Sequence, residues 1–193
     1  MDDATLVSSM MPVAGKTLLV VGLGGIGTAA AKRGAALGMR VIATRNSSRE
    51  GPDFVDYVGL SSDLLQLAGE ADVIINALPL TPTTRGLLDQ EFFAATRKGA
   101  FFINVGRGAT VDTTALTAAL ASGHLGGAGL DVTEPEPLPA GHPLWQLENV
   151  IITPHVAARG GERDRHLALA KENLSRYAAG ERLLNVVRPE RGY

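Results

Sequence analysis

The chain has 193 residues, 45% of them hydrophobic and 20% charged, with a formal net charge of -2 and no cysteine. That length suits one domain with a substantial core, and the near-neutral charge argues against a nucleic-acid partner. Without cysteine there are no disulfides, no thiol catalysis and no zinc–thiolate site; the acidic N-terminus and the lack of a long apolar run predict no membrane partner and a cytoplasmic setting.

Residues 1–14 show little periodicity and are expected to form an arm. Thr17 to Val21 is β-branched or apolar and reads as a strand. Gly22-Leu23-Gly24-Gly25-Ile26-Gly27 follows at once, and Thr28 to Leu37 suits a helix. Strand, glycine turn and helix in that order are the setting that gives G-x-G-x-x-G its meaning. Gly22 allows the tight turn, Gly24 lets a pyrophosphate approach the backbone, and Gly27 lets helix and strand pack closely. The free N–H groups and positive dipole end of the helix then face the phosphates.

Further strands are expected at Met39–Thr44, Asp56–Leu60, Asp72–Ala77, Ala100–Val105, Gly126–Val132 and Val150–Thr153. Between them lie a helix through Leu64, Leu65, Leu67 and Ala68, with Ser61-Ser62-Asp63 as its expected N-cap, and helices over Asp89–Thr96 and Asp112–Ser122; Gly161–Ala179 reads as a long amphipathic helix. Asn185-Val186-Val187 reads as a short strand or tail. Apolar strands alternating with helices predict an α/β domain: a single doubly wound parallel sheet of the Rossmann type, covered on both faces. In such sheets ligands bind beyond the carboxyl ends of the strands. Gly24, Arg45, Pro79, Arg107, Asp131 and His155 each follow a predicted strand, which argues for one site.

Arg45 lies eighteen positions past Gly27, at the end of the second strand. An acid near this spacing binds the ribose 2′-hydroxyl of NAD. A guanidinium with Asn46, Ser47, Ser48 and Arg49 beside it suits a 2′-phosphate, so NADP is favoured over NAD. His155, in Thr153-Pro154-His155, is a candidate general acid or base, and Glu134 and Glu136 in the preceding proline-rich loop could hold its ring. Arg107 stands between Gly106 and Gly108, with little to pack against, and could grip a carboxylate in bidentate fashion. His124, His142 and His166 read as surface residues, and no metal site is predicted.

Five stretches in fixed order resemble the D-isomer-specific 2-hydroxyacid dehydrogenases, in their nucleotide-binding domain. They are GLGGIG at 22–27, LPLTPTTRGLL at 78–88, NVGRG at 104–108, GLDVTEPEPLP at 129–139 and TPH at 153–155. The resemblance implies that Arg107 binds a 2-oxo acid and polarises its carbonyl, that His155 gives the proton to that oxygen, and that Glu136 rather than Glu134 partners His155. It implies that Asp131 faces the nicotinamide amide and that Pro79 and Val105 flank the cofactor. The expected cofactor contacts are Gly22, Gly24, Gly25, Ile26, Gly27, Thr44, Arg45, Asn46, Ser47, Leu78, Pro79, Thr84, Val105, Gly106, Arg107, Asp131, His155 and Ala157.

Three departures stand out. Arg45 replaces the Asp of NAD-dependent members; Val156-Ala157-Ala158-Arg159-Gly160 replaces small residues and a hydroxyl cap; and most of a substrate-binding lobe is missing before Gly15. The expected organisation is an arm at 1–14, a dinucleotide-binding domain at 15–184 and a tail at 185–193 left from that lobe. A homodimer is implied. Two functions remain open: a 2-oxo acid reductase, or a non-catalytic dinucleotide-binding fragment lacking the substrate lobe. A short-chain dehydrogenase needs Tyr-x-x-x-Lys, but Tyr57 is followed by Ser61 and Tyr177 by Glu181 at that spacing; a methyltransferase wants an acid where Arg45 stands.

Overall fold

The computed structural model describes residues 12–46, 48–159 and 162–187. Seven parallel strands form one sheet: β1 (Thr17–Val21), β2 (Arg40–Thr44), β3 (Tyr57–Gly59), β4 (Val73–Asn76), β5 (Phe101–Asn104), β6 (Gly127–Leu130) and β7 (Val150–Ile152). Their order is β3-β2-β1-β4-β5-β6-β7. Chain direction across the sheet therefore reverses between β1 and β4, and a ligand crevice belongs at that switch point. This is the doubly wound α/β sheet expected from the apolar strand runs.

Each strand of the centre sends alternate residues to opposite faces. Leu19 and Val21 join Ile42, Ile74, Phe92, Phe93 and Phe102 in the larger core, under α2 (Leu64–Glu70), α3 (Gln90–Ala95) and α4 (Thr113–Ala121). Leu18 and Val20 join Val41, Ala43 and Ala31 in the smaller core, under α1 (Gly25–Ala36). Phe93 packs edge-on against both Phe92 and Phe102, with centroids 5.2 and 5.3 Å apart. The apolar area removed from water here is the main drive for the fold.

Four features differ from the sequence reading. α1 begins at Gly25, inside the glycine motif, with Gly24 as its N-cap and Ile26 the one side chain among residues 24–27. Asp63 does not cap α2 through its side chain; its carboxylate accepts the Leu60 N–H at 2.8 Å instead. Asp89 and Asp112 do cap, the first accepting from Phe92 and the second from Thr114 and Ala115. Among the described residues the expected cover on both faces is incomplete: on the face of α1, β5 to β7 leave Phe101 and Ile151 exposed, Ile151 by 72%.

The long helix, α5 (Glu162–Ala178), stands away from the sheet, and none of its described side chains is buried. Leu167, Leu174 and Tyr177 make an apolar stripe with nothing described against it. Asn185-Val186-Val187 is a tail rather than a strand; the segment before it folds onto α5, where Asn173 exchanges two hydrogen bonds with Leu184. Most of the expected arm (1–11) and of the tail (188–193) lies outside the described residues. No helix among the described residues is long and apolar enough to cross a membrane.

Candidate active site

The glycine turn sits at the carboxyl end of β1. Gly22 has φ +95, open to glycine at little cost, and a Cβ there would lie 3.1 Å from the Leu78 side chain and 3.2 Å from the Ala77 backbone. A Cβ on Gly27 would collide with the Gly22 carbonyl. Gly24 and Gly25 have nothing within 4 Å of that position, so the space before α1 is open. Gly24 offers no side-chain cap and the first turn carries no acid. Ile26 is 58% exposed between Gly25 and Gly27. Open space, uncapped N–H groups and a positive helix end fit a pyrophosphate.

Thr44 ends β2, buried, and its hydroxyl accepts the Gly22 N–H at 3.3 Å. It shapes the turn from behind. Arg45 follows, with its amide bonded to the Gly59 carbonyl and its guanidinium donating to the Glu50 carbonyl at 2.9 Å. Among the described residues no carboxylate pairs with Arg45. The expected free donor at Arg49 is not free: it pairs with Asp63 at 2.7 Å and reaches the Tyr57 hydroxyl at 2.6 Å. The Leu60 amide, then Arg49, hold the Asp63 carboxyl below its usual range. Asn46 is exposed beside Arg45; Ser47 lies outside the described residues.

After β4, Leu78 and Pro79 are half-buried, and the Leu78 side chain lies against the Gly22 turn. Thr84 closes this loop, its hydroxyl donating to the Pro79 carbonyl at 2.6 Å. At the end of β5, Val105 and Gly106 lie against the same loop, since a Cβ on Gly106 would be 2.7 Å from the Leu78 carbonyl oxygen. Arg107 is exposed, and among the described residues its guanidinium hydrogen-bonds the Gly106 carbonyl alone, at 2.7 Å. Gly108 presses on the Thr133 backbone, where any Cβ would collide. That contact brings the Arg107 loop beside the Thr133–Pro137 loop.

Asp131 ends β6 and is 7% exposed. One carboxylate oxygen accepts the Thr153 hydroxyl at 2.6 Å and the Val156 N–H at 2.9 Å; the other accepts the Ala157 N–H at 2.9 Å. The Asp131 carbonyl takes the His155 N–H at 2.9 Å. These bonds surround His155, whose φ of 52 lies in the left-handed region that a non-glycine residue seldom adopts. The clamp turns the imidazole so that Nδ1 meets Glu136 Oε1 at 2.8 Å. Nε2 makes no hydrogen bond among the described residues. A cavity of about 620 Å³ opens beside the pair, lined in part by Leu138, Trp145 and Ile152.

Glu134 does not reach His155; its backbone carbonyl instead takes the Thr113 hydroxyl. Of the histidines read as surface residues, His166 is exposed. His124 and His142 are half-buried and structural, the first bonding Thr96 and the second accepting the Leu144 N–H.

Residues 4–157 match the sequence profile described as the D-isomer specific 2-hydroxyacid dehydrogenase, NAD binding domain. The chain belongs to that family. It is 41% identical over 180 residues to a glyoxylate reductase of Aeropyrum pernix, covering 91% of this chain and 52% of the relative. It is 38% identical over 166 residues to the human glyoxylate reductase/hydroxypyruvate reductase, covering 86% and 51%. A D-isomer specific 2-hydroxyacid dehydrogenase of Xanthobacter autotrophicus Py2, solved with NADPH and MES, superposes with a TM-score of 0.88 at 41% identity, over 95% of this chain and 75% of that one. The NADPH-dependent glyoxylate/hydroxypyruvate reductase of Sinorhizobium meliloti, solved with NADP and sulfate, also gives 0.88, at 33% identity over 95% and 59%. The chain spans little more than half the length of the curated relatives it matches. As a member of the dehydrogenase family it carries a nicotinamide-dinucleotide-binding domain.

Sequence reasoning missed Asn76, Asn104 and Thr110, which lie behind the two central loops, and the clamping role of the Asp131 carboxylate. A signal for the asparagines was present: two apolar strands, VIIN and FFIN, each end in one.

Burial alone pushes the Asp131 carboxyl up, but the Thr153 hydroxyl, the Ala157 and Val156 amides and the His155 charge outweigh it, and the net shift is downward. Its stabilising contribution is therefore complete above the ordinary carboxylate value of about 3.9 and fades as pH falls through the lower folded value. Asp131→Asn, which sets an amide against a backbone N–H, should cost about 1–3 kcal/mol near neutral pH. The gap from wild type should close as the medium is acidified, a trend that urea unfolding across the acid range measures.

Proposed function

We propose that this chain is the dinucleotide-binding part of an NADP-preferring reductase that moves a hydride between nicotinamide and a small 2-oxo or 2-hydroxy acid. The observation that carries the reading is the His155–Glu136 pair, 2.8 Å apart, on the same carboxyl edge of the sheet as the guanidinium of Arg107, which meets no carboxylate among the described residues. When bound, the dinucleotide supplies the hydride. Arg107 grips the acid and polarises its carbonyl with a planar pair of donors. Glu136 holds the imidazole through Nδ1, so that Nε2 carries the proton that goes to the carbonyl oxygen as charge builds there. Asp131, Pro79 and Val105 flank the nicotinamide in this reading, and residues 22–27 hold the pyrophosphate. The glyoxylate and hydroxypyruvate reductases among the relatives support a short 2-oxo acid.

The domain organisation proposed is 15–184 for the dinucleotide, 1–14 as an arm, and 185–193 as the start of a return to a second half. Arg107, Glu136 and His155 are all exposed, where water weakens charged contacts. This favours a chain that binds dinucleotide alone but turns over slowly until that second half covers the site. The stripe on α5 is the surface proposed to meet it.

NADPH should bind tighter than NADH, because Arg45 meets the 2′-phosphate. Arg45→Asp should erase the preference by placing like charge there; equal wild-type affinities in calorimetry would contradict this reading.

Arg107→Ala and His155→Ala should each cut glyoxylate reduction by about 100-fold or more, the usual scale for a general acid or a charged anchor, and leave NADPH affinity near wild type. Undiminished turnover in His155→Ala would remove the assignment.

A homodimer is proposed on the bare apolar half-face of β5 to β7, since parallel sheets bury both faces. Light scattering at micromolar concentration should give twice the chain mass; a monomer would refute the dimer.

A further inference from the structure

We propose that Asn76, Asn104 and Thr110 form a buried relay that positions the Leu78–Pro79 loop and the Gly106–Arg107 loop as one unit, so that the backbone beside the nicotinamide depends on a hydroxyl that touches no ligand. The proposal rests on the reading that these two loops serve the nicotinamide and the 2-oxo acid.

Asn76 and Thr110 are 0% exposed and Asn104 is 1% exposed. Asn76 and Asn104 are direct register partners at the last paired position of β4 and β5. The Asn76 Nδ2 group donates to Asn104 Oδ1 at 3.0 Å and to the Thr110 hydroxyl at 2.8 Å. Thr110 passes the link on, its hydroxyl donating to the Arg107 carbonyl at 2.7 Å, a carbonyl that also takes the Thr110 N–H at 3.2 Å and Asn104 Nδ2 at 3.5 Å. The two amide oxygens face the loops: Asn76 Oδ1 accepts the Leu78 N–H at 3.2 Å and Asn104 Oδ1 accepts the Gly106 N–H at 3.1 Å. The relay thus ends on three backbone groups, and all three belong to the site loops.

The position inside the sheet calls for a reason. Ile74, Ile75, Phe102 and Ile103 precede the two asparagines, and an apolar residue would satisfy packing in a parallel strand. Burying an amide costs free energy unless every polar atom is paired. Among the described residues no buried side-chain nitrogen or oxygen lacks a partner, so that cost is met. Hydrogen bonds add direction, which apolar contact cannot. Here the direction is toward the backbone on either side of Arg107, whose loops already touch at Gly106 and Leu78. The three are positioning residues, acting through the backbone of Leu78, Gly106 and Arg107.

Thr110 is the member that can be cut cleanly. Thr110→Val keeps the shape and removes the hydroxyl, and Thr110→Ser restores it. Calorimetry on the full chain with NADPH and with 2′,5′-ADP, which lacks the nicotinamide half, separates a local effect from a global one. Thr110→Val should weaken NADPH roughly tenfold, the scale of one buried hydrogen-bond link, and leave 2′,5′-ADP within about twofold. Thr110→Ser should return NADPH to the wild-type value. Unchanged NADPH affinity in the valine variant overturns the relay, as does equal weakening of both probes or failure of serine to recover it. Wild-type NADPH that binds no tighter than 2′,5′-ADP overturns the underlying placement of the nicotinamide as well, and so is told apart from failure of the relay alone. Thr110→Ala, read by the same three comparisons, serves if the valine variant does not fold.

Discussion

Parallel pairing of β1 with both β2 and β4 is the constraint on which the rest depends. Val21 stands level with Thr44 on one side and Asn76 on the other, so three strands end together. All seven strands point the same way, and every connection that leaves a carboxyl end emerges on one edge. Backbones then have to pass one another closely on that edge. Glycine permits it at three places: Gly22 against Leu78, Gly106 against Leu78, and Gly108 against Thr133. These contacts join the proposed pyrophosphate turn, the arginine loop and the Glu136 loop side by side. A side chain at any of them would push these loops apart.

The charges divide by what they are asked to hold. Arg49 is neutralised by Asp63, and Asp131 is buried and saturated by three donors of its own chain. Both serve loop shape. Arg45 and Arg107 have only backbone carbonyls as partners among the described side-chain contacts. A cation bonded to a carbonyl keeps its full charge for an anion. The two stand at the ends of β2 and β5, on either side of the switch point, where a dinucleotide and an organic acid would each present one.

His155 shows how a weak chemical identity becomes a specific one. A histidine after a strand has many ordinary uses, and its strained backbone is costly in isolation. The Asp131 carboxylate and carbonyl over-determine the turn from 153 to 157, and the same turn sets the ring against Glu136. The partner comes from a loop nineteen positions earlier, held in turn by the Thr133 hydroxyl and by Gly108. Orientation here is a product of four separate segments.

The amino-acid sequence by itself determined the strand and helix order, the glycine turn and the positions of Arg45, Arg107 and His155, because these depend on local pattern. Apolar runs, glycine spacing and residues that follow a run are all read within a few positions. It also carried Glu136 over Glu134, through a motif rather than through geometry. It did not show that Arg49 is spent on Asp63, that Asp131 is a clamp, that α5 stands clear of the sheet, or that Phe101 and Ile151 stay exposed among the described residues. Nor did it show Asn76, Asn104 and Thr110 as a single link. Each of those depends on which distant residue lies within about 3 Å, the reach of a hydrogen bond. Only the packing of seven strands in one order brings those atoms together.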